Sequence, residues 1–169
     1  MRYGDDREGR GGFSLIEILI TLAILGIIVV IAVSNFQGMT EKYRVEGETK
    51  QMFADLMDAR GRAMQRNRVF HVQITTNGYR TFEDTNPAPD GDGDLTGSDT
   101  QVAGVTVNHT ITPTAGLSDF RFNRNGIASA TGTIRLSSTA PPDYDCITVK
   151  ATRIKMGQYN AADNACVEK

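Results

Sequence analysis

From Phe13 to Val33 the sequence reads FSLIEILITLAILGIIVVIAV, apolar throughout except for one charged residue, Glu17. At about 1.5 Å per residue, one helix of this length spans a hydrocarbon layer of about 30 Å. Such a chain must put the segment into lipid or against other apolar helices. Ahead of it lies MRYGDDREGRGG, where Arg2, Arg7 and Arg10 are opposed by Asp5, Asp6 and Glu8. Val33-Ser34-Asn35-Phe36 offers no small-x-small cleavage pattern, and the apolar run is too long for the core of a secretory signal. Two readings stay open: a plain signal anchor, or a precursor cut before its apolar run.

The acid weighs between them. An ionised carboxylate at the middle of a lipid-embedded helix costs about 2.5–3.5 kcal/mol, and less towards its end, where Glu17 lies. A pure anchor has no use for that charge. Buried charges persist when paired, and a cut between Gly12 and Phe13 creates a cationic α-amine one helical turn from the carboxylate. Within one helix the two groups meet only loosely, so the amine of a neighbouring copy is the better geometric match. Snorkelling of Glu17 to the membrane interface is the alternative.

Gly12-Phe13-Ser14-Leu15-Ile16-Glu17, followed by the apolar run, resembles the prepilin cleavage motif of type IV pilins and type II secretion pseudopilins. The resemblance implies that a membrane-embedded prepilin peptidase cuts after Gly12. Residues 1–12 are then a leader that is removed, Phe13 becomes the methylated N-terminus, and Glu17 is the assembly carboxylate. It further implies residues 13–34 as a transmembrane and assembly helix. Residues 35–169 follow as a periplasmic α+β domain, in a protein that crosses the inner membrane once before entering an extracytoplasmic fibre. Many members of the family carry Pro at the end of the apolar run, where Ser34 stands here.

Beyond the run the helical pattern continues through Phe36, Met39 and Tyr43, then Phe53, Leu56/Met57 and Ala63/Met64. No Pro occurs before Pro87, and one long helix from about Ser14 to about Asn67 is predicted. Its amphipathic second half needs a covering layer. Phe70, Val72 and Ile74 alternate with polar residues, and Asn77-Gly78 then leads to Tyr79–Phe82, a hairpin signal. Val102–Ile111, Leu117–Phe122, Ile127–Leu136 and Cys146–Ile154 supply further strands. The predicted fold class is α+β, pilin-like, with an N-terminal helical spine on antiparallel β-sheet. Seventeen Gly and no Trp in 169 residues fit a turn-rich head, and a net charge of −2 gives no chain-wide attraction for nucleic acid.

Asp58–Asn67 before a strand, Phe82-Glu83-Asp84-Thr85-Asn86 before an Asp/Gly loop, Phe122–Gly126 and Gly132-Thr133-Ile134 resemble the GspH/FimT group of minor pilins and pseudopilins. That resemblance implies a structural subunit that primes or caps a type IV pilus or a type II secretion pseudopilus. Its partners would be other pilins or pseudopilins, the prepilin peptidase and the inner-membrane assembly platform. A second reading is a membrane-tethered minor pilin that binds DNA for uptake. Thr152-Arg153-Ile154-Lys155 occupies the place of a Gly-Arg-x-Arg motif linked to DNA in some FimT-like proteins, which makes Arg153 and Lys155 the candidate contacts. Strand alternation puts these two on one face and Lys150 on the other.

Cys146 and Cys166 are the only cysteines, and outside the cytoplasm they are expected to form a disulfide. Asp90, Asp92 and Asp94 follow the alternate spacing of a calcium loop. Leu95 and Gln101, however, stand where that loop needs Gly and a bidentate Glu. Bound Ca2+ and a solvated acidic connection therefore both remain open, and no other cofactor is expected. Arg60, Arg62, Arg66 and Arg68 gather at the helix end, where cations favour the negative end of the helix dipole. His71 and His109 read as surface residues. No nucleophile elbow, metal pair or phosphate loop stands out, so the chain is not expected to be an enzyme.

Overall fold

The computed structural model describes residues 13–169, apart from the side chains of residues 32–37. The predicted leader with Gly12 and the side chains of Ser34 and Phe36, the first residue of the predicted stripe, therefore lie outside the described residues. Two compact units divide the chain, one ending at Gln37 and one beginning at Gly38.

The helix α1 runs from Leu15 to Arg66, 52 residues, as its pattern predicts. Ser14 starts it: its carbonyl accepts the N–H groups of Glu17 at 3.0 Å and Ile18 at 3.3 Å. Glu17 then sits in the first turn, where a negative charge complements the helix dipole. At the other end Asn67 takes a left-handed φ of 53°, and the Arg68 N–H donates back to the Ala63 carbonyl at 3.2 Å. That bond, reaching back five residues, closes the last turn on otherwise orphaned carbonyls.

The first unit presents α1 as apolar and exposed on every side, from Leu15 through Ile31. Among the described residues no helix is long and apolar enough to cross a membrane; the described side chains stop at Ile31, short of the predicted end of the run at Val33. In the second unit α1 buries Val45, Thr49, Met52, Leu56, Ala59 and Ala63, spaced by alternating steps of four and three. This row corrects the predicted stripe. Met39, Tyr43, Met57 and Met64 point outward and are exposed. Thr49 escapes notice as a core residue because it is polar, yet its hydroxyl donates to the Val45 carbonyl at 2.8 Å and so enters the core satisfied.

Among the described residues nine strands form two antiparallel sheets. The first has the order β3-β2-β1-β5 and the second β4-β6-β7-β8-β9. Here β1 is Phe70–Thr75, β2 Gly78–Glu83, β3 Thr100–Thr106, β4 Ile111–Pro113 and β5 Asp119–Phe122. The remaining strands are β6 Gly132–Leu136, β7 Cys146–Val149, β8 Ile154–Asn160 and β9 Ala165–Glu168. The β1–β2 hairpin turns at Thr76-Asn77, with Thr75 opposite Gly78, one residue earlier than expected. Gly78 belongs to the strand, where a Cβ would lie 2.3 Å from the Val105 carbonyl oxygen.

The predicted Val102–Ile111 strand is two strands in different sheets, because the chain turns at residues 107–110 to cross between them. Ile127–Leu136 narrows to β6, and Cys146–Ile154 is the hairpin of β7 and β8 around Lys150–Arg153. The strand β9 was not signalled. One core joins the α1 row to Phe70, Val72 and Phe122 of the first sheet and to Ile134, Leu136 and Ile147 of the second. Leu56, 1% exposed, sits at its centre. Leu56→Ala is expected to lower unfolding free energy by about 2–5 kcal/mol; a denaturation midpoint unchanged from wild type would place that side chain outside the cooperative core.

Candidate functional site

Phe13 lies just before the first helical turn and is 79% exposed. Glu17 follows one turn later, an exposed acid in a stretch of α1 that is otherwise uncharged from Leu15 through Ile31. The backbone thus holds the two residues within one turn, and the helix they begin presents apolar side chains all round. Such a surface is satisfied by lipid or by other apolar helices, and a lone carboxylate in it by a cation that those surroundings supply.

In the second unit, acids of α1 fasten the start of the head. Glu48 accepts the N–H of Asn108 at 3.0 Å and approaches His109 Nδ1 at 2.6 Å, while Glu41 approaches His109 Nε2 at 3.0 Å. The His109 ring thus lies between two carboxyl groups of α1, one at each ring nitrogen. Burial pushes the Glu48 carboxyl up, but the Asn108 N–H and His109 outweigh it and hold the group below its ordinary value. A second clamp sits beside it. Glu46, buried, accepts the Asp143 N–H at 2.8 Å, and Lys42 meets Asp143 at 3.1 Å. The Lys42 ammonium keeps the Asp143 carboxyl below the usual range. His109 is therefore a buried turn residue, not a surface strand residue.

The arginines at the helix end do more than offset a dipole. Arg66 and Arg68 both pair with Glu83, a buried carboxylate at the end of β2. Arg68 also donates to the Pro89 carbonyl. Arg60 donates to the Gly126 carbonyl at 2.8 Å, and Arg62 pairs with Asp58 along the helix at 2.7 Å.

The acidic loop after β2 does not gather its three aspartates. Asp92 accepts the Asp94 N–H at 3.0 Å, Asp94 faces Arg121 at 3.3 Å, and Asp90 stands exposed. Among the described residues no group of three or more His, Cys, Asp or Glu side chains is placed to hold a metal ion. The loop instead folds onto the outer face of the first sheet. Asp84 accepts the Gly93 N–H at 2.6 Å, and Arg121 donates to the Gly93 carbonyl. Asp99 accepts the N–H groups of Thr96, Thr85 and Asn86; against the pull of burial, these hold its carboxyl low. The covered His71 is 4% exposed, and burial, with Arg121 beside it, lowers its pKa. Its expected surface position is overturned because alternation along β1 shows which face a residue takes but not what a distant loop lays over that face.

Cys146 and Cys166 are joined in a disulfide, with Cα atoms 5.9 Å apart, which ties β9 to β7 across β8. Arg153 and Lys155 converge on Glu168 of β9, at 3.7 Å and 3.0 Å, and Lys150 reaches the same carboxylate at 3.2 Å. Lys150 is thus on the same side as the other two, because a tight turn, with the Lys150 N–H donating to the Arg153 carbonyl at 2.8 Å, replaces the continuous strand. Glu168 is held low by Lys155 first and Lys150 next. The residues that sequence reasoning passed over are Glu41, Glu46, Glu48 and Glu168, and it named Glu83 without its pairing to Arg66 and Arg68. Their only signal is that each is an acid whose partners lie far along the chain.

A family model described as Type II transport protein GspH matches residues 48–152. A second, the prokaryotic N-terminal methylation motif, matches residues 8–33. No curated protein matches the chain by sequence. Among solved structures, the type IV minor pilin FimU of Pseudomonas aeruginosa is similar with a TM-score of 0.52 and 15% identity, over 70% of this chain and 91% of that one. The minor pseudopilin EpsH from the Type 2 Secretion System of Vibrio cholerae is similar with a TM-score of 0.52 and 12% identity, over 68% of this chain and 97% of that one. At these identities the likeness is one of fold.

The Glu48 clamp yields a pH test. Its folded pKa lies below the ordinary 4.5, so the stability it contributes is complete above that value and is lost as pH falls through the lower, folded one. Glu48→Gln should be less stable than wild type at pH 7 and lose less stability between about pH 5 and pH 3. Denaturant midpoints across that range read the difference; parallel curves for the two proteins count against the clamp.

Proposed function

The chain belongs to the Type II transport protein GspH family, and on that premise we propose that it works as a minor pilin or pseudopilin. In this reading it is a structural subunit that primes or caps a type IV pilus or a type II secretion pseudopilus, with other such subunits as its fibre partners. The observation that carries this is the union of a prokaryotic N-terminal methylation motif over residues 8–33 with a single acid, Glu17, in the first turn of an exposed apolar helix. The two fold relatives support it from both sides, one being a minor pilin and the other a minor pseudopilin.

The chemistry runs from the residues. A prepilin peptidase cuts the Gly12–Phe13 bond, residues 1–12 leave, and the freed amine of Phe13, once methylated, keeps its positive charge. The processed subunit waits in the inner membrane as a single pass, its head in the periplasm, until an assembly platform extracts it. Moving an apolar helix from lipid to neighbouring apolar helices gains little, since the two surroundings are about equally apolar. Pairing Glu17 with the Phe13 amine of a neighbour adds direction and register, because only one axial offset brings the charges together. The alternative of DNA capture by Arg153 and Lys155 gains no support from the family or the fold relatives, and both side chains are engaged with Glu168.

Glu17→Val is expected to insert and be processed yet fail to enter or prime a fibre, seen as loss of fibres or of secretion in cells carrying only the variant; normal assembly would remove Glu17 from this role. Gly12→Val is expected to leave the precursor uncut, visible as a species on a gel heavier by the leader, and a mature N-terminus at Phe13 in that variant would refute the cleavage site.

A further inference from the structure

Among the described residues four arginines are half-buried: Arg60, Arg62, Arg68 and Arg135. Taking a guanidinium out of water is costly unless its N–H groups find oxygens. The first three do so, Arg60 on the Gly126 carbonyl, Arg62 on Asp58 and Arg68 on Glu83. Arg135 lies instead with its guanidinium carbon 3.9 Å from the centre of the Tyr159 ring. Its Nε is buried without a hydrogen-bond partner among the described residues.

The sheet register shows how Arg135 reaches that ring. On β6 it stands opposite Thr112 of β4 and Cys146 of β7, and Cys146 stands opposite Gly157 of β8. Cys146 is drawn off to Cys166 and Gly157 has no side chain, so the long arm crosses the sheet to Tyr159. Thr133, two residues before Arg135, shares the same face. The Tyr159 hydroxyl donates to Asn164 Oδ1, which leaves the amide N–H groups as what Asn164 offers. With Pro113, these residues line a pocket of about 330 Å³, at the lower end of the range for small-molecule sites. Thr114, also on its wall, is already bonded to the Thr133 main chain. The acids beside the pocket are turned to other donors. Asp145 Oδ1 accepts the Tyr159 N–H at 2.6 Å, and Asp163 accepts from the Asn160 amide. Burial lifts the Asp145 carboxyl above its ordinary value, against the pull of that N–H and of Arg135.

We propose that this pocket binds a sugar acid, its carboxylate on Arg135 and its hydroxyls on Thr112, Thr133 and Asn164. The charge count selects a monoanion, since one cation lines the wall and the neighbouring Asp145 and Asp163 oppose a dianion such as phosphate. Stacking on Tyr159 fixes the planar guanidinium, whose edge matches a planar carboxylate. The rest of the wall asks for hydroxyls. Threonine hydroxyls donate and accept, and the Asn164 amide donates, whereas the body of an apolar acid would give them no partner. A pocket this small takes one sugar ring, either free or as a residue of an acidic polysaccharide.

Saturation-transfer NMR on the full-length chain in detergent, with glucuronate as the probe, should show binding, and glucose at the same concentration should show none. Arg135→Gln should lower the affinity about tenfold or more, the loss of a charged hydrogen-bond donor. Thr133→Val, which keeps the shape and removes the hydroxyl, should lower it a few-fold, with the Cys146–Cys166 disulfide still formed. Hyaluronate presents glucuronate within a polymer: tighter binding per glucuronate identifies the polysaccharide as the source, and weaker binding the free acid. The proposal is overturned by silence with both glucuronate and hyaluronate, by glucose or acetate bound as tightly as glucuronate, or by inorganic phosphate competing on equal terms. Binding unchanged in Arg135→Gln or in Thr133→Val overturns it as well.

Discussion

One hydrogen-bonded backbone, α1, has to serve two solvents. Its first half exposes Leu, Ile and Val on every side, a surface stable only in lipid or among similar helices. Its second half is wetted on one side and buried on the other along Val45, Thr49, Met52, Leu56, Ala59 and Ala63. Nothing within the helix marks the change except side-chain chemistry, so the head must be built onto whichever stripe remains for it. That stripe is lean: two alanines and a threonine stand among its six residues. Small side chains let the sheets come close to the helix, but they bury little apolar area, at about 25 cal/mol per Å².

Charged clamps along the same helix compensate for that leanness. Glu41 and Glu48 hold His109 at the crossing between the two sheets, Glu46 and Lys42 hold the chain around Asp143, and Arg66 and Arg68 hold Glu83. Each joins α1, or the turn that ends it, to a segment far along the chain. The pairs on buried His109 and Glu83 are less screened than surface pairs such as Lys42–Asp143, and together the clamps fix where each loop sits. The disulfide does the same for β9, the last strand, which has few residues of its own with which to hold the sheet. Ion pairs as well as packing thus hold the head to the second half of α1.

The parts of this architecture that were legible in the sequence are those governed by local periodicity. An apolar run with one acid, a 3.6-residue pattern without proline, and alternation in Phe70–Ile74 each act over a few residues, and α1 and β1 follow them closely. The errors have a common origin. Met39 and Tyr43 are apolar but outward, while Thr49 is polar but inward, because burial depends on which side the sheets approach. Val102–Ile111 reads as one strand, since no local signal marks the point where the chain leaves one sheet for the other. His71 reads as exposed because the loop that covers it begins after an intervening strand.

By itself, then, the sequence determined the helical spine, the chemistry of its first turn, the α+β class and the two cysteines available to pair, since these rest on composition and short-range spacing. Only the tertiary structure decided that the sheet is two sheets, that Lys150, Arg153 and Lys155 share one carboxylate, and that Asp90, Asp92 and Asp94 form no metal-holding group. Those outcomes depend on which distant segments meet, and hydrogen-bonding groups and charges many residues apart leave no periodic trace of their partners in the chain.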